Sequence, residues 1–429
     1  MRPKLLVIFL NHFAVANDLL SKRSRIYSDR PRSSTVMFGK LVGMTTLIMW
    51  CGSEDPVFPK FRRMFAEVFG KGNLDEHSSI VEDEREKFLD RLSSSPGDFY
   101  DHIEILSESI ILRIAYGYQL SGKDDKFYDL YRKFSRVLTN EVVAQRWIVD
   151  YFPILQFLPR WLPGLRFHKF AEEQGRIRDD FNNMPYDFVK QEIKDHRAAP
   201  SFVSNWLLKS EQTEADDTVT RYVAAAMYLG GADTTAGFLK AFFYLMAMHP
   251  EVQAKAQAEI DAVVGVDHSP DITHWKDLPF LHALMKEVHR WQCIVPLGIP
   301  HRLTEDDEYE GIHISGGTTV IANIWAMCYD EDQYPEPSKF NPERFIPDPM
   351  TGKVQQDPND YVFGFGRRIC PGMHFANRTL FLMVSAILSS FTISKCLDDA
   401  GGEIEPKFEC FGQITRHLRP FNVRIIRRK

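Results

Sequence analysis

The stretch Phe363-Gly364-Phe365-Gly366-Arg367-Arg368-Ile369-Cys370-Pro371-Gly372 decides how this 429-residue chain is read. Two glycines before Cys370 and one after it free the backbone to fold tightly around a sulfur. A long apolar helical pattern, 372–391, opens directly behind it. At a helix N-terminus, unpaired N–H groups and the helix dipole favour a thiolate, which is either a nucleophile or a metal ligand. Gly364-x-Gly366 begins like a dinucleotide-binding loop, but the third glycine is absent and arginines fill the turn. The other five cysteines (Cys51, Cys293, Cys328, Cys396 and Cys410) lack this setting and read as buried structural residues.

Six cysteines in a chain this long are too sparse for a disulfide scaffold and suit a reducing, cytosol-facing environment. Hydrophobic residues at 44% and charged residues at 26% exclude a disordered chain or a collagen and allow a sizeable core. The net charge of −6 carries no basic excess, so no nucleic-acid partner is expected. The apolar runs 5–10 and 41–50 fall short of the ~20 residues a spanning helix needs. Met1-Arg2-Pro3-Lys4 before the first run superficially suggests a signal peptide, but no small-residue cleavage site follows. Residues 5–10 therefore read as a buried strand.

Helical spacing is expected over 17–28, ending before the turn Asp29-Arg30-Pro31, and over 83–120, where Ile103, Leu106, Ile110 and Ile114 recur. Three prolines among aromatics make 151–163 a locally packed loop. A polar segment, 210–217, leads into a long helix over 218–248, closed by His249-Pro250. Helices follow at 251–264 and 280–292; then short β-like runs, 309–314 and 318–321, alternate with glycine and proline turns, before an irregular stretch at 334–349. The pattern is mainly α with a small sheet at each end of the sequence. No repeat or linker interrupts it, so 1–429 reads as one domain.

Three other motifs carry physical meaning. Glu287 and Arg290, in Glu287-Val288-His289-Arg290, share a helix face and can pair. With Arg344 of Asn341-Pro342-Glu343-Arg344-Phe345 they can form a bidentate network; taken alone, the pair is more often an exposed one worth about 0.3–0.5 kcal/mol. Gly230-Gly231-Ala232-Asp233-Thr234-Thr235 places two glycines inside a helix at about 1 kcal/mol each relative to alanine. Missing side chains there open a groove for a small ligand or allow a close helix contact. Thr234 can bond back into the ladder, and Asp233 beside it makes an acid–alcohol pair.

Phe-x-x-Gly-x-Arg-x-Cys-x-Gly, filled by Phe363, Gly366, Arg368, Cys370 and Gly372, resembles the haem-binding loop of the cytochrome P450 family, and the other three motifs stand in that family's order. The resemblance runs from about residue 4 to the C-terminus; residues 27–31, Tyr-Ser-Asp-Arg-Pro, resemble the first-helix boundary of fungal microsomal members. It implies a triangular helical prism around haem b, N-terminally incomplete in that the anchor helix, hinge, first helix and opening strand are not in this chain. Cys370 would be the proximal iron ligand, with Phe363, Gly364 and Gly372 in its loop. Asp233 and Thr234 would deliver protons, and Arg368, His301 and Arg62 would bind the haem propionates. Arg62 stands in Phe58-x-x-x-Arg62, where the family has tryptophan in place of Phe58. Glu287, Arg290 and Arg344 would form the structural network.

The implied activity is a monooxygenase that inserts one atom of O2 into a small apolar substrate, in secondary metabolism or xenobiotic oxidation. Electrons would come from NADPH through a flavoprotein reductase docking near Arg367 and Arg368. Met227, Ala232 and the loop 294–299, with Val295 and Leu297, would line the pocket. The protein would be a monomer at the cytosolic face of the endoplasmic reticulum membrane, although this chain itself contains no anchor. Alternatives are a reductase-independent haem-thiolate isomerase or dehydratase, members of which tend to lose the acid–threonine pair, and a non-catalytic haem-binding fragment.

Overall fold

The longest element of the computed structural model, which describes residues 6–31, 36–138, 147–159, 162, 166–209, 213–266 and 268–428, is the helix Glu214–Met248. Its start is written in a capping box: the Thr213 hydroxyl accepts from the Asp216 N–H at 3.2 Å, and the Asp216 carboxylate accepts from the Thr213 N–H at 3.0 Å. Glu214, Asp216 and Asp217 add negative charge to the first turn. The helix therefore begins four residues before the expected 218; residues 210–212 of the polar segment lie outside the described residues. It ends at Met248, before His249 and Pro250, and Pro250 opens the next helix, Pro250–Val264, where its missing N–H costs nothing.

Phe99–Tyr116 is the principal neighbour of this central helix. The single spacing read over 83–120 resolves into two helices, Ser78–Ser94 and Phe99–Tyr116, because Pro96 breaks the ladder between them. The run at 17–28 starts earlier than expected, at Phe13, and passes through a π turn, Asn17–Lys22, into Ser24–Tyr27. Between residues 151 and 163 the described backbone forms a 3-10 turn, Pro153–Phe157, after a short helix, Ile148–Tyr151. Leu155 packs against the main core, whereas Phe152 and Phe157 are 58% and 76% exposed; residues 160, 161 and 163 lie outside the described residues. Among the described residues, no helix is long and apolar enough to cross a membrane.

The expectation of one small sheet at each end of the sequence is corrected. Val7–Leu10 pairs in parallel with Thr319–Ala322, which also carries His301–Arg302, so the first strand completes a sheet supplied by the last third of the chain. It occupies the edge of that sheet, which leaves Val7 and Phe9 exposed and buries only Leu10 among its four residues. Residues 1–5 lie outside the described residues. The remaining strands form local pairs, including Phe391–Ser394 with Arg424–Arg427 and Cys410–Phe411 with His417–Leu418.

Glu287 and Arg290 are wholly buried rather than exposed. Arg290 Nε and Nη2 donate to the two oxygens of Glu287 at 2.7 and 2.8 Å, and Arg344 Nε donates to Oε1 at 3.3 Å. The guanidiniums spend their other donors on the carbonyls of Cys328, Pro335, Glu336 and Lys339, pinning the irregular 334–349 stretch. Tyr334, under Arg290, shares a 2.7 Å hydroxyl–hydroxyl bond with Tyr361, whose carbonyl accepts from Gly364 N at the mouth of the cysteine loop. Removing the carboxylate strands two buried cations. Glu287→Ala should lower stability by about 3–5 kcal/mol, whereas Glu343→Ala, which breaks an exposed pair with Lys255, should cost under about 1 kcal/mol. Urea denaturation of both variants checks the contrast, and equal midpoints would refute it.

Candidate functional site

The cysteine loop is held by its own backbone and by the N-terminal helical run. Cys370 N donates to Phe363 O at 2.7 Å, and the loop turns at Gly364 and Gly366, with φ of 82° and 50°. Gly366 also lies so close to the Asn17–Lys22 turn that a Cβ would sit 2.3 Å from the Leu20 carbonyl oxygen, so only glycine fits. Phe365 anchors the loop in the smaller core with Leu20, Tyr27 and Tyr361. Behind it runs Met373–Ser390.

Cys370 Sγ receives the N–H groups of Gly372 and Met373 and faces Arg62. Burial nevertheless outweighs these three and pushes the thiol pKa up. The N–H groups at the helix start favour the thiolate as expected, and desolvation in the cavity opposes them. A raised thiol pKa disfavours a free nucleophile and suits a metal ligand, since a bound cation displaces the proton itself.

Cys370 opens onto a cavity of about 330 Å³ with Gly230, Gly231 and Thr234 of the central helix in its wall. Phe61, Phe65, Phe69, Phe363 and Phe375 supply apolar surface. Arg30, Arg62, Arg368 and His301 also line it. Arg30, 6% exposed, donates to the carbonyls of Ile299 and Pro300 at 2.7 and 2.8 Å; burial and the Arg368 charge depress its pKa to about 9. Arg62 donates to Ile369 O at 2.7 Å, and Arg368 to Ser28 O and Cys51 O, each at 2.7 Å. Phe58 lies under the Arg368 guanidinium at 4.0 Å, so the phenyl ring that replaces tryptophan serves as a seat and not as a donor. The His301 Nδ1–H donates to Tyr27 O at 2.8 Å, and burial, with Arg30 and Arg368 nearby, pushes its pKa down to about 3, so the ring is neutral. Among the described residues, none of the three guanidiniums is bonded to a carboxylate. A positive, apolar-walled cavity of this kind fits a flat macrocycle that brings two carboxylates and a thiolate-seeking metal. The donor set therefore suits haem b.

The two central-helix glycines have different tasks. A Cβ on Gly231 would meet Ile111 Cγ1 at 2.9 Å, so this glycine makes the close contact with Phe99–Tyr116; nothing lies within 4 Å of a Cβ on Gly230, which leaves open space. The Thr234 hydroxyl donates to Gly230 O at 2.8 Å. Asp233 does not join Thr234 at the cavity. Its carboxylate accepts from Tyr131 OH at 3.2 Å and from His417 Nε2 at 3.0 Å; burial would raise its pKa, but the His417 contact brings it below the usual value. Met227, Ile294, Val295 and Ile299 line the cavity, whereas Ala232 is buried without reaching it and Leu297 is 41% exposed. Of the two loop arginines, only Arg367 is presented to the surface; Arg368 turns inward.

Sequence reasoning passed over three residues. Arg30 was visible only as part of a turn, with no pattern that aims it inward. His289 sits inside Glu-x-x-Arg but reads as a spacer; its ring packs 4.5 Å from Phe238 and 5.3 Å from Phe363. His417 meets Asp233 across 184 residues, beyond any local spacing.

Comparison with known proteins agrees with this geometry. A sequence model of the family described as Cytochrome P450 matches residues 3–423. Among similar proteins, "Cytochrome P450 monooxygenase claR" of Ampulloclitocybe clavipes is 37% identical over 97% of this chain and 77% of its own length. "Cytochrome P450 monooxygenase 208" of Postia placenta is 38% identical over 98% and 81% respectively. "Cytochrome P450 monooxygenase ppsD" of Aspergillus oryzae is 33% identical over 98% and 79%.

Burial pushes the His289 pKa down from 6.5 to about 4, so between those values the unfolded chain binds a proton that the folded chain refuses. Stability should fall as pH drops from 6.5 to 4, and in His289→Gln the slope should be shallower by about 1.4 kcal/mol per pH unit. Denaturant midpoints against pH measure both slopes; identical slopes would show that His289 is already charged in the fold.

Proposed function

This chain belongs to the cytochrome P450 family and is a monooxygenase, and we propose that it oxidises a small apolar organic molecule with electrons passed from NADPH by a separate flavoprotein reductase. The observation that carries the reading is the convergence on one cavity of a cysteine thiol, three guanidiniums that bond no carboxylate among the described residues, and an open helix face at Gly230. When bound, haem b supplies O2 activation and the transfer of one oxygen atom to the substrate. Cys370 is the proposed iron ligand, with the Gly372 and Met373 N–H groups and Arg62 sharing the thiolate charge.

Arg30, Arg62, Arg368 and His301 are proposed to hold the two carboxylates. Their carbonyl partners fix the guanidinium planes in advance, so binding spends little on ordering them. Phe363, Gly364 and Gly372 shape the loop around the sulfur. Gly230 leaves room for a small molecule beside Thr234, whose hydroxyl, released from Gly230 O, can hold or pass a proton there. Phe238, Ile294 and Val295 keep water out and select apolar substrates. Glu287, Arg290 and Arg344 hold the frame. A reductase-independent rearrangement would turn over without NADPH and reductase, and a non-catalytic role would give no turnover with them.

The whole of 1–429 is taken as a single domain acting as a monomer, in keeping with a first strand that is built into a sheet from the last third. Residence at the cytosolic face of the endoplasmic reticulum membrane is proposed on family grounds. The exposed Arg367 beside the cysteine loop is proposed to contribute to reductase docking.

Reduced, haem-supplemented protein should bind carbon monoxide with the red-shifted absorption of a thiolate-ligated haem, and Cys370→Ser should abolish it. Thr234→Ala should keep that band and lower product formed per NADPH consumed by about tenfold or more. Unchanged coupling would remove Thr234 from proton handling. Arg367→Glu should slow reduction by the reductase, most at low salt, and an unchanged rate would remove it from docking.

A further inference from the structure

We propose that Cys293 and Cys328 form a peroxide-sensitive thiol pair: oxidation joins their sulfurs in a reversible disulfide that staples the end of the Glu287–Arg290 helix to the segment which that helix grips.

Two stretches run antiparallel here: the end of Pro279–Trp291 with residues 292–296, and the short helix Ile324–Cys328 with Tyr329. Three hydrogen bonds join them. The Tyr329 hydroxyl donates to Trp291 O at 2.8 Å, Trp325 N to Pro296 O at 2.9 Å, and Arg290 Nη1 to Cys328 O at 2.8 Å. With Trp291 opposite Tyr329 and Pro296 opposite Trp325, the register sets Cys293 opposite Cys328. The two thiols share a hydrogen bond, and both belong to the smaller core with Tyr334 and Tyr361.

The pair is reduced at rest and reachable from one side. Cys293 is 1% exposed and Cys328 is wholly buried, so neither sulfur meets bulk solvent. The Cys328 contact, and then burial, push the Cys293 thiol pKa up, which slows attack because the thiolate is the nucleophile. The Val295 N–H and the Arg416 charge act the other way and favour a thiolate fraction. Ile294, the residue after Cys293, lines the cavity, so the route from that side is a single residue thick. Hydrogen peroxide is small and uncharged, and is the oxidant that suits such a route.

Peroxide alone balances the step. One sulfur, as its thiolate, attacks a peroxide oxygen; the O–O bond breaks, and a sulfenic acid and, after proton uptake, one water result. The second sulfur attacks the sulfenic sulfur, the S–S bond forms, the S–O bond breaks and a second water leaves. Two thiols give up two protons and two electrons, and the peroxide is reduced to two waters. Cys328 passes the change on: its carbonyl holds Arg290, and its sulfur bonds with the Tyr361 hydroxyl. Tyr361 O in turn receives Gly364 N at the mouth of the cysteine loop. Oxidation therefore adds a covalent tie to the network that positions that loop.

The test exposes haem-loaded protein to hydrogen peroxide in two arms. In one it is added; in the other NADPH and reductase are supplied without substrate, with catalase in solution to remove any peroxide that escapes. The protein is unfolded in a thiol-alkylating agent and cut with trypsin, which leaves the two cysteines alone in peptides 291–302 and 303–339. The expected result is a joined peptide two hydrogens lighter than the sum of its halves, the main linked species, separated by dithiothreitol. Cys293→Ser should lose it. The wild-type map decides the proposal even if that variant fails to fold. Both thiols still alkylated while the half-buried Cys51, Cys396 and Cys410 oxidise would overturn the proposal, as would sulfinic acid at either position without the joined peptide. The added-peroxide arm is independent of the monooxygenase reading, and linkage confined to it supports the pair with the oxidant coming from solution. Linkage in the second arm supports the pair with peroxide made in the cavity.

Discussion

A single carboxylate with no access to solvent, Glu287, receives two guanidiniums, and the site depends on that arrangement. Two cations and one anion make an unbalanced core, and the excess is absorbed by backbone carbonyls from an irregular segment with no ladder of its own. The electrostatics thus do the work that secondary structure does elsewhere. From Arg290 the constraint passes to Tyr334, then through one hydroxyl bond to Tyr361, and so to the first turn of the cysteine loop. A sulfur whose position must hold within a fraction of an ångström is set by a network some way behind it.

The cavity shows the opposite imbalance. Three guanidiniums and a neutral histidine face inward, and their donors are spent on carbonyls rather than on carboxylates. In an interior of low dielectric that is an expensive state, and burial lowers the pKa of all three arginines. The stability given up here is the affinity offered to a ligand with two negative charges. The raised pKa of Cys370 belongs to the same logic, since a neutral thiol waits for a cation rather than attacking on its own.

Local features were legible in the sequence to the extent that local chemistry determines them. The cysteine loop, the central helix with its glycines, and the Glu–Arg–Arg set were all found from spacing because each depends on turn residues, helix periodicity or paired charge. Pro96 was visible too, yet the apolar rhythm on either side of it hid the break. The exposed face of Val7–Leu10 could not be read, since a continuous apolar run looks the same at a sheet's centre and at its edge. Asp233 was misplaced for a related reason: adjacency to Thr234 says nothing about which way a helix turns each residue, and its partner His417 lies on another element. Arg30 was quoted as a boundary because nothing near it in sequence shows the carbonyls that aim it.

The pairing of Val7 with Thr319 has a consequence in time. Closing a loop of roughly three hundred residues is entropically costly, so this strand pairing is slow to form compared with the turns inside each helix. During synthesis the first strand leaves the ribosome long before its partner exists, and it carries Val7, Ile8, Phe9 and Leu10 unpaired through most of translation. An apolar edge waiting that long is an invitation to self-association. The exposure to self-association therefore outlasts folding: pairing with Thr319–Ala322 buries Leu10, while Val7 and Phe9 stay exposed at the sheet edge.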